Sequence, residues 1–301
     1  YETITIIHAL DGNKPILSIP YFFHGIIQRY NAGSIVKFSV YKNSQRGSRA
    51  TTSLIRKLSG EKLIVFLTAY SKSLENSAVE EFYTDFINFF KEIAFNYTLY
   101  KAIFFDIIEL INVVGQKLRT TQFGEQKKTK KEISDIFNKY LPAALNDFAS
   151  ISKSNEVKAF NTLKRLVDNV AYLTNDVIGG DRFNNILSSI CANCLVGYLK
   201  RKFEKEIPDY MLSLAYSITK VGSSIKIWKE FINDTFRDDN YVISTEKRDL
   251  WNTVIYEWSQ YPENKERLLS ELLQLTGSKK IGLTPSLITF SSWNDSDVMV
   301  K

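Results

Sequence analysis

Cys191-Ala192-Asn193-Cys194 is the pair of residues whose chemistry would be most distinctive. Two thiols at this spacing can form a redox couple or supply half of a zinc site. Both cysteines, however, fall on one apolar helical stripe with Phe183, Ile186, Leu187, Ile190 and Leu195, and no second CxxC or nearby histidine completes a ligand set. They read as core thiols. The only histidines are His8 and His24. A histidine serves as general base only beside a nucleophile or an orienting carboxylate, and His8 with Asp11 at the end of an apolar segment reads as a structural contact. No GxSxG, P-loop or HExxH occurs, and Gly179-Gly180-Asp181 lacks the further glycines of a phosphate cradle. The sequence offers no catalytic, metal or cofactor-binding residue, so a non-enzyme is expected.

Charge is the remaining chemistry. Between Gly12 and Gly60 there is no Asp or Glu, while Lys14, Arg29, Lys37, Lys42, Arg46, Arg49, Arg56 and Lys57 all occur there. That segment carries +8 of a net +6, which leaves −2 for the rest of the chain. A second cluster, Lys127, Lys128, Lys130 and Lys131, opens a helix where the dipole favours acids. A solvated face is the plainer reading of either cluster. The functional reading makes Lys42, Arg46, Arg49, Arg56, Lys57 and the four lysines contacts for an anionic membrane surface or an acidic partner. Each basic group near an anionic leaflet contributes about 1 kcal/mol, so four give roughly 4 kcal/mol. A nucleic-acid-binding helical repeat is the alternative. Yet Phe82, Phe86, Phe89 and Phe90 sit at core spacing and are not interleaved with the basic groups as stacking platforms are, so no nucleic acid is expected as partner.

The elements that carry these residues are helical throughout. After an apolar opening and the turn Asp11 to Pro15, Ser18 is placed to cap a short helix with Pro20 in its first turn, running to Tyr30. Residues 31–52 lack sustained periodicity and read as a basic, mobile, disordered loop. Helices are then expected over 60–74, over 77–93 with Ser77 and Glu80 as a capping box, and over 99–121. A helix from Lys128 meets Pro142, where a kink or break is expected. Further helices are read at 156–177, 182–202, 208–220, 225–238, 246–260 and 262–276, with an irregular tail over 277–301. The apolar run Ile103 to Val114 is interrupted by Asp106, Glu109 and Asn112 at helical spacing. It reads as a core helix with a wet stripe, not as a membrane span.

About ten helices joined by short turns predict an all-α chain, an armadillo/HEAT-like α-solenoid of antiparallel helices forming one segment over 1–301. A globular helical bundle is the rival. Two cysteines in 301 residues leave no disulfide framework and point to a reducing compartment. The chain opens at Tyr1 with no initiator Met, so a longer parent is expected.

Four segments resemble the Dopey family of very large leucine-rich trafficking proteins: His8 to Pro15 continuing through Ser18-Ile-Pro20, Gln122 to Lys128 with the Glu132 to Pro142 helix, Ile255 to Lys265, and Leu283 to Phe290. The chain looks like a piece from the C-terminal half of a fungal member. The resemblance implies a non-catalytic scaffold, peripheral on the cytoplasmic face of Golgi and endosome membranes. It also implies two partners, a large Arf-exchange-factor-like trans-Golgi scaffold and an aminophospholipid flippase. No family motif supplies a binding residue here; the basic clusters are read from charge alone.

Overall fold

A computed structural model describes residues 14–39, 55–146, 148, 155–174, 180–196, 207–222, 225, 244–262, 264–268 and 270. Among them the chain is all-α, helix packed on helix as in an α-solenoid, with no strand. The principal helices are α1 (Ile19–Tyr30), α2 (Gly60–Ser73), α3 (Ala78–Phe95), α4 (Phe104–Arg119), α5 (Lys127–Asn146), α6 (Glu156–Thr174), α7 (Asp181–Ile190), α8 (Asp209–Val221) and α9 (Thr245–Ser259). The chain divides into two compact units, Tyr1–Ala144 with Asn169–Asp176, and Leu145–Asp168 with Val177–Lys301.

The first unit is built on aromatic layers. On α3, Val79, Phe82, Tyr83, Phe86, Phe89, Phe90 and Ile93 are all buried, the stripe that 3.6-residue periodicity dictates. Phe89 stacks on Phe23 of α1 with ring centres 4.5 Å apart, and Phe90 meets Tyr140 of α5 edge-on at 5.4 Å. Removing each such ring from water contributes on the order of 2–3 kcal/mol. Helix α2 packs against both α1 and α4. Because α4 has neighbours on more than one side, its expected wet stripe is not wet: Asp106 and Asn112 are buried, and Glu109 is held by Lys72 at 2.9 Å.

The second unit uses larger rings. Trp251 and Trp258 of α9 are buried, and Trp258 donates its indole N–H to Thr219 Oγ1 of α8 at 2.9 Å. Tyr261 donates to the Thr219 carbonyl at 2.8 Å, so α8 and the end of α9 are tied at one residue. At the other end of the pair, the buried Lys247 ammonium reaches Asp209 Oδ1 at 2.7 Å and the Ile207 carbonyl. Phe160 bridges Phe148 at 5.4 Å and Tyr210 at 5.0 Å.

Several local expectations meet a different outcome. Ser77 sits in helical geometry (φ −65°, ψ −28°), so its hydroxyl cannot turn back to cap α3, and the capping box with Glu80 does not form. The Ser18 hydroxyl donates to the Pro15 carbonyl at 3.4 Å and lies 3.3 Å from the Tyr70 hydroxyl instead of capping α1. Ser59 and Ser244, both with extended backbone, do cap their helices, each accepting a third-position N–H at 3.3 Å.

Helix α5 carries through Pro142 without ending. Tyr140, Leu141, Ala144 and Leu145 are buried on both sides of the proline, and that burial offsets a disruption of about 3 kcal/mol. The helix expected over 99–121 is two elements, a 3-10 stretch Tyr97–Ile103 and then α4. After α7 the chain widens into a π-turn over Cys191–Val196. The opening segment, the expected helix over 225–238 beyond Ile225, and the tail over 277–301 lie outside the described residues.

Candidate anionic-surface contacts

The first basic cluster is described only at its C-terminal edge. Residues 55–57 form a helical turn, and Arg56 and Lys57 are exposed on it. The turn is fixed to α1. Ile55 packs against Gly25 so closely that a Cβ there would meet Ile55 Cγ2 at 2.5 Å, which only glycine avoids. Arg29 of α1 donates to the Ile55 carbonyl at 2.5 Å and to the Arg56 carbonyl at 3.4 Å. Arg29, Arg56 and Lys57 therefore share one edge, with Arg29 partly used in holding the turn. Lys42, Arg46 and Arg49 lie outside the described residues.

Of residues 31–52, only the first nine are described, and they touch α3 and α1 at Asn31, Phe38 and Ser39. Glu92 of α3 is buried, and its Oε1 accepts from Asn31 Nδ2 at 2.7 Å, Asn96 Nδ2 at 3.0 Å and the Tyr100 hydroxyl at 3.3 Å. Two turns earlier on the same face, buried Asp85 accepts the Ser39 backbone N–H at 2.7 Å. Phe38 adds a ring contact to Phe23 at 5.9 Å. Residues 31–39 are thus bonded to α3 at two acidic side chains. Sequence reading missed this acid pair, although a signal existed: Asp85 and Glu92 are seven residues apart, flanking the apolar stripe of α3.

The second basic cluster is fully described, and the loop that leads into it is held at several points. The loop before α5 is closed by Thr121, whose hydroxyl donates to the Leu118 carbonyl at 3.0 Å and accepts the Gly124 N–H at 3.0 Å. A Cβ on Gly124 would lie 1.9 Å from the Leu118 carbonyl oxygen, so only glycine fits. Tyr172 of α6 donates to the Gly124 carbonyl at 3.0 Å, and Phe123 packs edge-on against Tyr83 at 5.0 Å. Burial, and then the Glu125 carboxylate, push the Tyr172 phenol well up from its ordinary value. Tyr83 is raised in the same way by burial and by Glu132, to which it donates at 3.2 Å.

On this platform the four lysines separate into two kinds. Lys130 pairs with Glu125 at 2.5 Å and lies 5.8 Å above the Tyr172 ring, so it is part of the platform. Lys127, Lys128 and Lys131 are exposed and make no ion pair among the described residues. Three cations thus crowd the positive end of a helix dipole, an arrangement that costs free energy unless an anion is brought to it.

Elsewhere, Cys191 and Cys194 are both buried on the stripe predicted for them. His24 is exposed on α1, and His8 lies outside the described residues. Among the described residues no group of three or more His, Cys, Asp or Glu side chains converges as metal ligands, and no helix is long and apolar enough to cross a membrane.

Comparison with known proteins then places the chain. A family model described as DOP1 C-terminal matches residues 66–301. The chain is 44% identical over 307 aligned residues to Protein DOP1 of Saccharomyces cerevisiae, covering 99% of this chain and 18% of that protein. It is 25% identical over 301 residues to Protein dop1 of Emericella nidulans, covering 92% of this chain and 15% of that one. It therefore spans less than a fifth of the length of these curated relatives. No solved structure matches it.

Proposed function

The chain belongs to the DOP1 (Dopey) family, and on that premise we propose that it is a non-catalytic scaffold segment of a peripheral membrane protein in Golgi and endosome vesicle traffic. Its helical surfaces bind protein partners, a large Arf-exchange-factor-like scaffold and an aminophospholipid flippase, on the cytoplasmic face of those membranes. Its basic turns contact the anionic leaflet. One observation carries the electrostatic part: Lys127, Lys128 and Lys131 are exposed together at the start of α5, without ion pairs among the described residues, at a helix end that disfavours them.

Three lysines near an anionic leaflet supply about 3 kcal/mol, roughly a hundredfold in partition. The test is co-sedimentation of the chain with phosphatidylcholine vesicles containing about 30% phosphatidylserine at low salt. Lys127→Glu/Lys128→Glu/Lys131→Glu, which reverses the three charges, is expected to lower binding by at least that factor, and Arg56→Glu/Lys57→Glu by less. Binding that is equal for wild type and the triple variant would remove the lysine turn from the account. A shift of duplex RNA with a steep salt slope, and no vesicle binding, would replace the reading with a nucleic-acid one.

A further inference from the structure

Residues 34–39 run without helix or turn, and their exposure alternates residue by residue. Ser34, Val36 and Phe38 are half-buried, while Ile35, Lys37 and Ser39 are exposed. A period of two is that of an extended chain lying along a surface. The backbone N–H of Ser39 donates to Asp85 Oδ1 at 2.7 Å, and the Ser39 hydroxyl makes no hydrogen bond among the described residues. Asp85 is 2% exposed and has no ion pair among the described residues, so this N–H replaces part of its lost hydration.

An exposed, unengaged hydroxyl on extended chain is what a serine/threonine kinase requires. Such an enzyme takes its substrate as an extended strand in a groove, whereas exposed hydroxyls within helices, such as those of Thr84, Ser188 and Thr253, would first have to be unwound. The kinase reads a detached strand, so the charge that counts is the charge along the chain. No Asp or Glu lies within twenty residues of Ser39 on either side, while Lys37 is two residues before it and Lys42 three after. Basic flanks of this kind fit a kinase whose substrate groove is acidic.

The geometry points to Ser39 as a phosphoacceptor for such a kinase, and to its phosphate as the release of residues 34–39 from Asp85. In the transfer, Ser39 Oγ bonds to the γ-phosphorus of ATP as the bond from that phosphorus to the β,γ-bridging oxygen breaks. ADP leaves, and the hydroxyl proton passes to the base of the kinase. The phosphate, with close to two negative charges, then hangs on an oxygen three bonds from the nitrogen that Asp85 holds. A carboxylate so little exposed is weakly screened, and the repulsion is relieved when Ser39 leaves it. The hold of Glu92 on Asn31 is untouched, so the segment is loosened at one end only. The inference does not depend on the membrane reading and shares no residue with the lysine turn of α5.

Two measurements on the whole 301-residue chain test it. Incubation with ATP and the catalytic fragment of protein kinase C, which favours basic flanks, is expected to place phosphate on Ser39, seen by peptide mass spectrometry and lost in Ser39→Ala. Phosphoserine installed at position 39 by codon suppression is expected to speed hydrogen exchange of the Ser39 amide about tenfold, the factor that goes with losing one hydrogen bond to a charged group. Ser39→Ala keeps the backbone N–H and is expected to exchange as wild type does. Asp85→Asn removes the charge but keeps the acceptor oxygen, and in that background phosphoserine is expected to leave exchange unchanged. Absence of phosphate from Ser39 would overturn the site. Phosphoserine that leaves exchange as slow as in the unmodified chain would refute the release, whatever the Asp85 variant does. Equal acceleration with Asp85 and with Asp85→Asn would rule out charge repulsion as its cause.

Discussion

Glu92 on α3 and Lys128 on α5 are both charged residues in the first unit. One is buried and accepts three hydrogen bonds, while the other faces solvent with no ion pair among the described residues. The second unit repeats the first kind of charge at Lys247, buried between the starts of α8 and α9. The difference teaches which charges shape the fold and which are left to meet something else. A buried charge is kept only where several partners replace its hydration, so its loss is felt in stability. An exposed charge without partners contributes little to stability, so its loss is felt only in binding.

Substitution can break that division, beginning with the largest expected effect. Glu92→Ala leaves the amides of Asn31 and Asn96 and the Tyr100 hydroxyl without their shared acceptor. It is expected to cost about 3 kcal/mol in urea unfolding and to expose 31–39 to protease. A cost under 0.5 kcal/mol would mean the carboxylate is not what holds that segment. Lys247→Met keeps the apolar stem but removes the ammonium from Asp209 and the Ile207 carbonyl. About 1–2 kcal/mol is expected, less than for Glu92 because Asp209 is mostly exposed and rehydrates.

The alkaline limb of stability sharpens the same point. Burial, and then the Glu92 charge, raise the Tyr100 phenol above its ordinary 10.0, so the folded state holds this proton more tightly than the unfolded chain. The stabilisation from that shift is complete below about pH 10 and is lost as pH rises beyond it. Tyr100→Phe is expected to flatten the fall in melting temperature above about pH 10 relative to wild type. An unchanged slope would assign the alkaline loss to other groups. The glutamate triple variant of Lys127, Lys128 and Lys131 is expected to lose no stability, since acids suit that helix end, alongside the largest loss of vesicle binding.

The apolar stripes were legible because they are local. Phe82, Phe86, Phe89 and Phe90 on α3, and Phe183, Ile186, Leu187, Ile190, Cys191, Cys194 and Leu195 across α7 and its π-turn, are buried as helical spacing requires. The candidate contacts were legible only as charge. Nothing in the run of residues 127–131 separates Lys130, tied to Glu125 and Tyr172, from its three exposed neighbours, because the Tyr172 ring comes from another helix. Ser77 and Ser244 are the same residue type at the same kind of boundary, yet only Ser244 has the extended backbone that lets its hydroxyl cap.

The sequence by itself determined an all-α chain, its main apolar faces and its uneven charge, since each follows from side-chain type at a fixed period along one helix. The tertiary structure alone decided that Asp85 and Glu92 are buried and hold 31–39, and that α5 continues through Pro142. Those outcomes depend on which neighbours close over a surface. Burial is a property of the packed helices together, and it is set by contacts between residues far apart in the chain.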